Sequence, residues 1–332
     1  MKSTIKDIAK LAGVSTATVS KVINNKDQNI SQSTRERVLA LAKEHKYIPN
    51  RIARGLVTRY TKTIGLIIPD ITNPFFPGIA RGVEDKASVE GYNIIYCNTD
   101  DNLDKEDKCT SMLIEKMVDG VIIVASDKRK NEFKNLSNVY IPVILVDRDI
   151  DIDGIKGKVL VDNFDGAYQG VNHLLSIGKR NIVFITGPMT TNTAIDRLKG
   201  YKKALEEYDI PFKKEYVLEG VFKKEWGYKA TDKLIKEGIK FDALFCGNDL
   251  IAISAIKALK DNKISVPDDV AVVGYDDIYI STLVDPELTT ISQPNYDMGF
   301  KAAEMLVDMI EERKIEENRI VLKTELKIRK ST

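Results

Sequence analysis

The chain has 332 residues, enough for two or three folding units, and its 43% hydrophobic and 30% charged residues are the composition of an ordinary globular protein. No apolar run approaches the roughly 18–20 residues a membrane span needs, and no long apolar stretch follows Met1-Lys2-Ser3-Thr4-Ile5, so a cytoplasmic protein without a membrane partner is expected. Cys97, Cys109 and Cys246 stand apart in sequence and His45 and His173 are the only histidines, which argues against a disulfide framework, a metal site or a bound cofactor.

The near-neutral total hides a segregation. Residues 1–62 hold 13 Lys and Arg against 4 Asp and Glu, a charge of +9, while the remainder holds 37 against 45, a charge of −8. A basic head on an acidic body is the electrostatic footprint of a nucleic-acid binder.

The first predicted helix carries Ile5, Ile8, Ala9 and Ala12 at helical spacing, with Thr4 as its cap and Asp7 as the capping-box partner. Gly13 suits the left-handed turn that follows. A second helix from about Thr16 to Asn24 turns Val19, Val22 and Ile23 inward and Thr16, Ala17, Ser20 and Lys21 outward. Ser33 and Glu36 read as the capping box of a third helix that runs to about His45 and buries Val38, Leu41 and Ala42. Helix, glycine turn, helix is the helix-turn-helix pattern, whose second helix enters the major groove.

The segment Pro49 to Leu56 suits a helix start but is too short to hold a helix alone, and Gly55 weakens it further. Its composition by itself is that of a solvated linker. Beyond residue 62, apolar strands alternate with amphipathic helices. Strands are expected at 63–69, 93–98, 120–124, 142–146, 181–186, 243–246 and 270–275, and helices at about 77–90, 105–117, 164–176, 196–208, 225–236, 251–261 and 298–312. That alternation predicts two parallel sheets covered on both faces, with a first crossover near Val161-Asp162-Asn163 and a later one at Thr290–Pro294. Ligands of such sheets bind beyond the carboxyl ends of the strands. Polar and aromatic residues gather there: Asp70 to Phe76, Asp147-Arg148, Arg197, Asn248-Asp249, Asp276 and Gln293. Trp226, the only tryptophan, reads as packing.

The run Ile5 to Asn24, IKDIAKLAGVSTATVSKVIN, resembles the headpiece of the LacI/GalR family of bacterial regulators, and the resemblance extends over essentially the whole chain. It implies an α/β protein with an N-terminal all-α helix-turn-helix headpiece (1–48), a hinge helix or linker (49–61) and a periplasmic-binding-protein-like core of two doubly wound parallel-sheet subdomains (62–332). The first subdomain would span about 62–160 and 293–320, the second about 161–292 and 321–332. It implies a homodimeric repressor, not an enzyme, on palindromic double-stranded operator DNA. The contacts would come from Thr4, Ser15, Thr16, Ala17, Thr18, Ser20, Lys21 and Asn24 in the head and from Asn50, Ala53, Arg54 and the wedge Leu56 in the hinge. Lys21 stands where the family commonly has arginine, so a point charge replaces a planar fork.

The resemblance also implies effector contacts at Asn73, Phe75, Phe76, Asp147, Arg148, Arg197, Phe222, Asn248, Asp276 and Gln293. Asp147-Arg148 and Asn73-Pro74-Phe75-Phe76 look like ribose-binding proteins, which points to a monosaccharide, a pentose in the first place. Three alternatives stand beside this reading. The segments Gly187–Met189 and Gly200–Glu207 look like the catabolite-control regulators, served by a phosphorylated carrier protein. A sugar-modifying enzyme lacks any phosphate-loop, dinucleotide or nucleophile-elbow motif. A transport-type binding protein would not need the basic head. No leucine-heptad tail follows Ile328, so a dimer rather than a tetramer is expected.

Overall fold

A computed structural model describes residues 3–47, 60–126, 129, 133 and 141–332. The chain divides into two units, Met1–Thr61 and Lys62–Thr332.

In the first unit, helix α1 spans Ile5–Ala12. Thr4 Oγ1 accepts from the Asp7 amide, and Asp7 Oδ2 accepts in return from the Thr4 amide at 2.8 Å, so two otherwise orphaned donors are satisfied. Gly13, at φ 64°, closes the turn. Helix α2 spans Thr16–Ile23 behind Ser15, whose hydroxyl accepts from the Thr18 amide at 3.1 Å. Helix α3 spans Gln32–Glu44, and here the expected cap is corrected. Ser31, not Ser33, caps it by accepting from the Thr34 amide, while Ser33 already lies inside the helix and Glu36 takes a bond from Gln32 Nε2. Ser31 alone keeps the extended backbone a cap requires. Ile8, Ala9, Ala12, Val19, Val22 and Val38 meet in one small core. The hinge positions Asn50, Ala53, Arg54 and Leu56 lie outside the described residues.

The second unit holds two sheets. The first contains β1 (Thr63–Ile68), β2 (Asn93–Asn98), β3 (Gly120–Ile123), β4 (Val143–Val146), β5 (Gly157–Val161) and β11 (Arg319–Leu322), in the order β11-β5-β4-β3-β1-β2. The second contains β6 (Ile182–Thr186), β7 (Val217–Glu219), β8 (Ala243–Cys246), β9 (Ala271–Asp276), β10 (Thr289–Ser292) and β12 (Glu325–Lys327), in the order β12-β10-β9-β8-β6-β7. Among the described residues all pairings are parallel except β10 with β12. Strands such as Thr63-Ile-Gly-Leu-Ile-Ile68 are buried on both faces because helices cover each sheet twice. Those helices are α4 (Phe75–Val89), α5 (Leu103–Glu115), α6 (Asn163–Ser176), α7 (Asn192–Glu207), α8 (Lys224–Lys236), α9 (Asp249–Asp261) and α10 (Asn295–Ile310).

Four strands lay beyond sequence reading: β5, β7, β11 and β12. They are three to five residues long, and β7, β11 and β12 carry exposed positions at sheet edges, so no long apolar run marks them. The stretch read as a later crossover begins as strand β10, and the chain crosses only after Ser292. It crosses between sheets three times, after β5, after β10 and between β11 and β12.

The helices pair at glycines. A β-carbon on Gly82 would stand 2.0 Å from the Tyr296 carbonyl oxygen, and one on Gly299 2.0 Å from that of Ile79, so α4 and α10 touch backbone to backbone. Gly200 meets the Phe164 carbonyl and Gly227 that of Ile251 in the same way. Gly299→Ala should therefore force the two helices apart and cost about 1–3 kcal/mol, the usual cost of overpacking. Urea unfolding is the measurement, and an unchanged midpoint would show that the crossing yields freely.

Candidate ligand cleft and nucleic-acid face

The carboxyl ends of the two sheets face a common cavity of about 340 Å³, at the small end of ligand pockets. All ten positions expected to touch an effector line it: Asn73, Phe75, Phe76, Asp147, Arg148, Arg197, Phe222, Asn248, Asp276 and Gln293. Asp70, which heads the run read at the end of the first strand, lines it too, as do Asp100, Asp101, Thr193 and Lys223, which were not anticipated. Asp100 and Asp101 follow strand β2 and obey the same carboxyl-end rule, so a uniform use of that rule would have found them.

Arg197 is the fixed point. It is 4% exposed, its Nε donates to Asn163 Oδ1 at 2.8 Å, its Nη1 donates to the Gly247 carbonyl, and its guanidinium lies 3.6 Å from the centre of the Tyr275 ring. Gln293 Nε2 donates to Asp276 Oδ1 at 2.7 Å, while Gln293 Oε1 is buried without a hydrogen-bond partner among the described residues. That oxygen is open to a hydrogen-bond donor. Arg148 forms a fork with Asp101 and also donates to the Ala125 carbonyl at 2.9 Å. Asn73 accepts from the Phe75 amide at 3.1 Å, and Asn248 caps α9 by accepting from the Ile251 amide at 2.9 Å. Both amides thus hold their loops as well as facing the cleft. Phe75 and Phe76 pack edge to face, with ring centres 5.2 Å apart. Trp226 sits outside the lining, its Nε1 donating to the Thr186 carbonyl at 3.0 Å, in a packing role.

The backbone is strained at this cleft. Asp100 (φ 52°), Asp101 (φ 57°), Asp147 (φ 69°) and Asp276 (φ 115°) all adopt positive φ, a region that costs a non-glycine residue of order 1–3 kcal/mol. Burial pushes the carboxyls of Asp147 and Asp276 above the ordinary aspartate value, although Arg148 and then Arg197 draw Asp147 down and Arg197 draws Asp276 down. Each is held where it is poorly solvated and able to accept a hydroxyl hydrogen.

On the head, α2 exposes Thr16, Ala17 and Lys21. Ser20 and Asn24 are half-buried and bonded to each other, Asn24 Nδ2 donating to the Ser20 carbonyl at 2.7 Å. The Ser15 and Thr18 hydroxyls share a 2.9 Å bond at the helix start, and Thr4 is engaged in its capping box. The outward face is small and polar, with one cation, a shape that admits close approach to base edges.

Residues 4–50 match the model of bacterial regulatory proteins of the lacI family, and residues 61–330 match that of periplasmic binding proteins and the sugar-binding domain of the LacI family. The chain is 40% identical to the transcriptional regulator RegA of Clostridium saccharobutylicum over 333 residues, covering 100% of both chains. It is 38% identical to the ribose operon repressor of Halalkalibacterium halodurans, covering 99% of this chain and 97% of that one. It is 36% identical to catabolite control protein A of Priestia megaterium, covering 100% of both. Among solved structures, a lac repressor dimer bound to operator and an anti-inducer superposes with a TM-score of 0.87 at 27% identity, covering 100% of this chain and 99% of that one.

Asp276→Asn should keep the bond from Gln293 and remove the cost that burial places on an ionisable carboxyl, so it should raise the thermal midpoint of the ligand-free protein by a few degrees near neutral pH. The sign follows from linkage. A carboxyl raised in the fold favours the folded state when protonated, and that contribution is lost as pH rises through the native value. The advantage of the asparagine variant should therefore vanish at or below about pH 4 and grow toward neutrality. Midpoints measured against pH decide it, and an advantage that shrinks with rising pH would refute the assignment.

Proposed function

Because the chain belongs to the LacI family of bacterial regulatory proteins and is a DNA-binding transcriptional regulator, we propose that its cleft senses an uncharged monosaccharide, a pentose such as ribose in the first place. Occupancy of the cleft would then set the affinity of a homodimer for palindromic operator DNA. The observation that carries this reading is the cleft's balance of groups. Five aspartates line it against Arg148, Arg197 and Lys223, and Arg148 is already paired with Asp101. A phosphate there would face net negative charge. A neutral polyol offers hydroxyls that both donate to Asp147, Asp276 and Gln293 Oε1 and accept from Arg197, with Phe75, Phe76 and Phe222 against its C–H faces. The similarity to a ribose operon repressor agrees with this choice, while the similarity to catabolite control protein A keeps a carrier-protein signal as the rival.

In the head, Thr16, Ala17, Ser20, Lys21 and Asn24 are the positions that would face the major groove, with Ser15, Thr18 and Thr4 holding the helix ends and reaching phosphate. Asn50, Ala53, Arg54 and Leu56 would act from the hinge in the minor groove.

A thermal-shift screen of neutral sugars, sugar phosphates and purified phosphorylated carrier protein tests the sensor reading, since a ligand of the folded state raises the midpoint. A shift with D-ribose or another neutral pentose is expected; shifts confined to phosphorylated ligands or to the carrier would overturn it. With the responding sugar, Arg197→Ala should weaken binding by about tenfold to a hundredfold, the loss of one charged hydrogen-bonding partner of about 1.5–3 kcal/mol. Calorimetry returning the parent's affinity would exclude that role.

The DNA reading has its own test. Phosphate neutralisation by the +9 head should make operator affinity fall steeply with salt. Leu56→Ala should lower both operator affinity and duplex bending while leaving sugar affinity near the parent's. Fluorescence binding and energy-transfer bending measure both, and parental bending in the variant would remove Leu56 as the wedge.

A further inference from the structure

Cys97 and Cys109 are 12 positions apart in sequence and belong to different elements, β2 and α5, yet the fold brings them together. Cys97 is 5% exposed in the apolar cluster of Ile67, Leu113, Val121, Ile123 and Leu145, and Cys109 packs against that same cluster from α5, half-buried. Both side chains pack into this one apolar cluster, and Cys109 is close enough to Cys97 to oppose its ionisation. Cys246 is fully buried in the other lobe and shares no cluster with them. The chain between the paired thiols is Asn98 to Lys108, and it holds Asp100 and Asp101, which line the ligand cleft with their backbones at positive φ. Asp101 anchors Arg148, and its carbonyl accepts from Ser126 Oγ at 3.2 Å.

We propose that Cys97 and Cys109 are a modification site: a peroxide oxidant converts them to an intramolecular disulfide that closes the Asn98–Lys108 segment into a loop and stiffens the aspartates at the cleft. The half-buried Cys109 reacts first. Its thiolate sulfur attacks one oxygen of hydrogen peroxide, the O–O bond breaks, and Cys109 sulfenic acid forms with release of hydroxide, which takes up a proton to become water. The Cys97 sulfur then attacks the sulfenic sulfur. The S–S bond forms, the S–O bond breaks, and the departing hydroxide takes the Cys97 proton as a second water. Two thiols lose two electrons in all, and one peroxide gains them. Burial and the neighbouring Cys109 push the Cys97 thiol up to about 12, so it stays protonated and inert until its partner is oxidised.

This inference stands apart from the identity of the effector. The test treats the full-length protein with a modest excess of hydrogen peroxide and counts thiols after denaturation. The count should fall from three to one per chain, peptide mapping should join the Cys97 and Cys109 peptides, and dithiothreitol should restore all three. C109S and C97S should each form no internal link, with unchanged thermal midpoints before oxidation showing that they fold. Amide hydrogen exchange at residues 99–102 should slow by about tenfold in the oxidised parent and not in C109S. Three surviving thiols, or Cys109 running on to sulfinic acid with no linked peptide, would overturn the site. A linked protein with unchanged exchange at 99–102 would overturn the stiffening.

Discussion

A buried guanidinium holds the acidic cleft together. Arg197 reaches from α7 toward carboxylates that arrive from both sheets, Asp147 at the end of β4 and Asp276 at the end of β9. Buried charges are costly unless paired or well bonded. Arg197 meets that requirement with Asn163, the Gly247 carbonyl and the face of Tyr275, which fix the cation before any ligand arrives. The carboxylates do not meet it in the same measure, since their attraction to Arg197 only offsets part of what burial costs them. The cleft is thus preorganised in its cation and under-satisfied in its anions, an arrangement suited to a ligand rich in hydroxyl donors.

The backbone supports the same reading independently of charge. Aspartate tolerates the left-handed region better than bulkier residues, because its short side chain bonds locally. Even so, four strained aspartates lining one cavity is a concentration that folding alone does not require. Gly13 shows the cheaper solution at a turn with a purely structural task. Where the cleft needs a carboxylate at the turn itself, glycine cannot serve, and the surrounding sheets must hold the strain.

Much of this was legible in the sequence because two periodicities carry it. Ile5, Ile8 and Ala12 mark a helix, and runs such as Val143-Ile-Leu-Val146 mark a doubly covered strand, so these elements were placed within a few residues. A topological rule brought nine of the ten cleft positions forward, since parallel strands deliver their carboxyl ends to one edge, while Phe222 and the choice of the ten as effector contacts came with the family resemblance. What escaped has physical causes. Edge strands such as Arg319–Leu322 bury one face only and carry too few residues for a pattern. Ser31 and Ser33 offer equal hydroxyls, and only the backbone distinguishes the cap. Asp100 and Asp101 resemble turn formers, which they also are, and Lys223 sits on a loop that no periodicity positions. The proximity of Cys97 to Cys109 depends on how α5 lies on the sheet, which sequence spacing does not encode.

The three crossings tie the cleft to the joints between the two lobes. The first leads directly into Asn163, which holds Arg197, and the second begins with Gln293, which holds Asp276. Two of the segments that join the lobes therefore also set the polar network of the cleft. A ligand that donates to Gln293 Oε1 would act on a segment joining the lobes as well as on the wall of the cleft, and any population shift would require it to contact two forms of the core differently. The third crossing, between Leu322 and Glu325, carries no cleft residue and leaves β12 antiparallel on the second sheet, so it serves as a tether. Two of the three crossings thus carry residues of the cleft's polar network and one carries none, and the basic head is joined in sequence to the lobe that begins with β1.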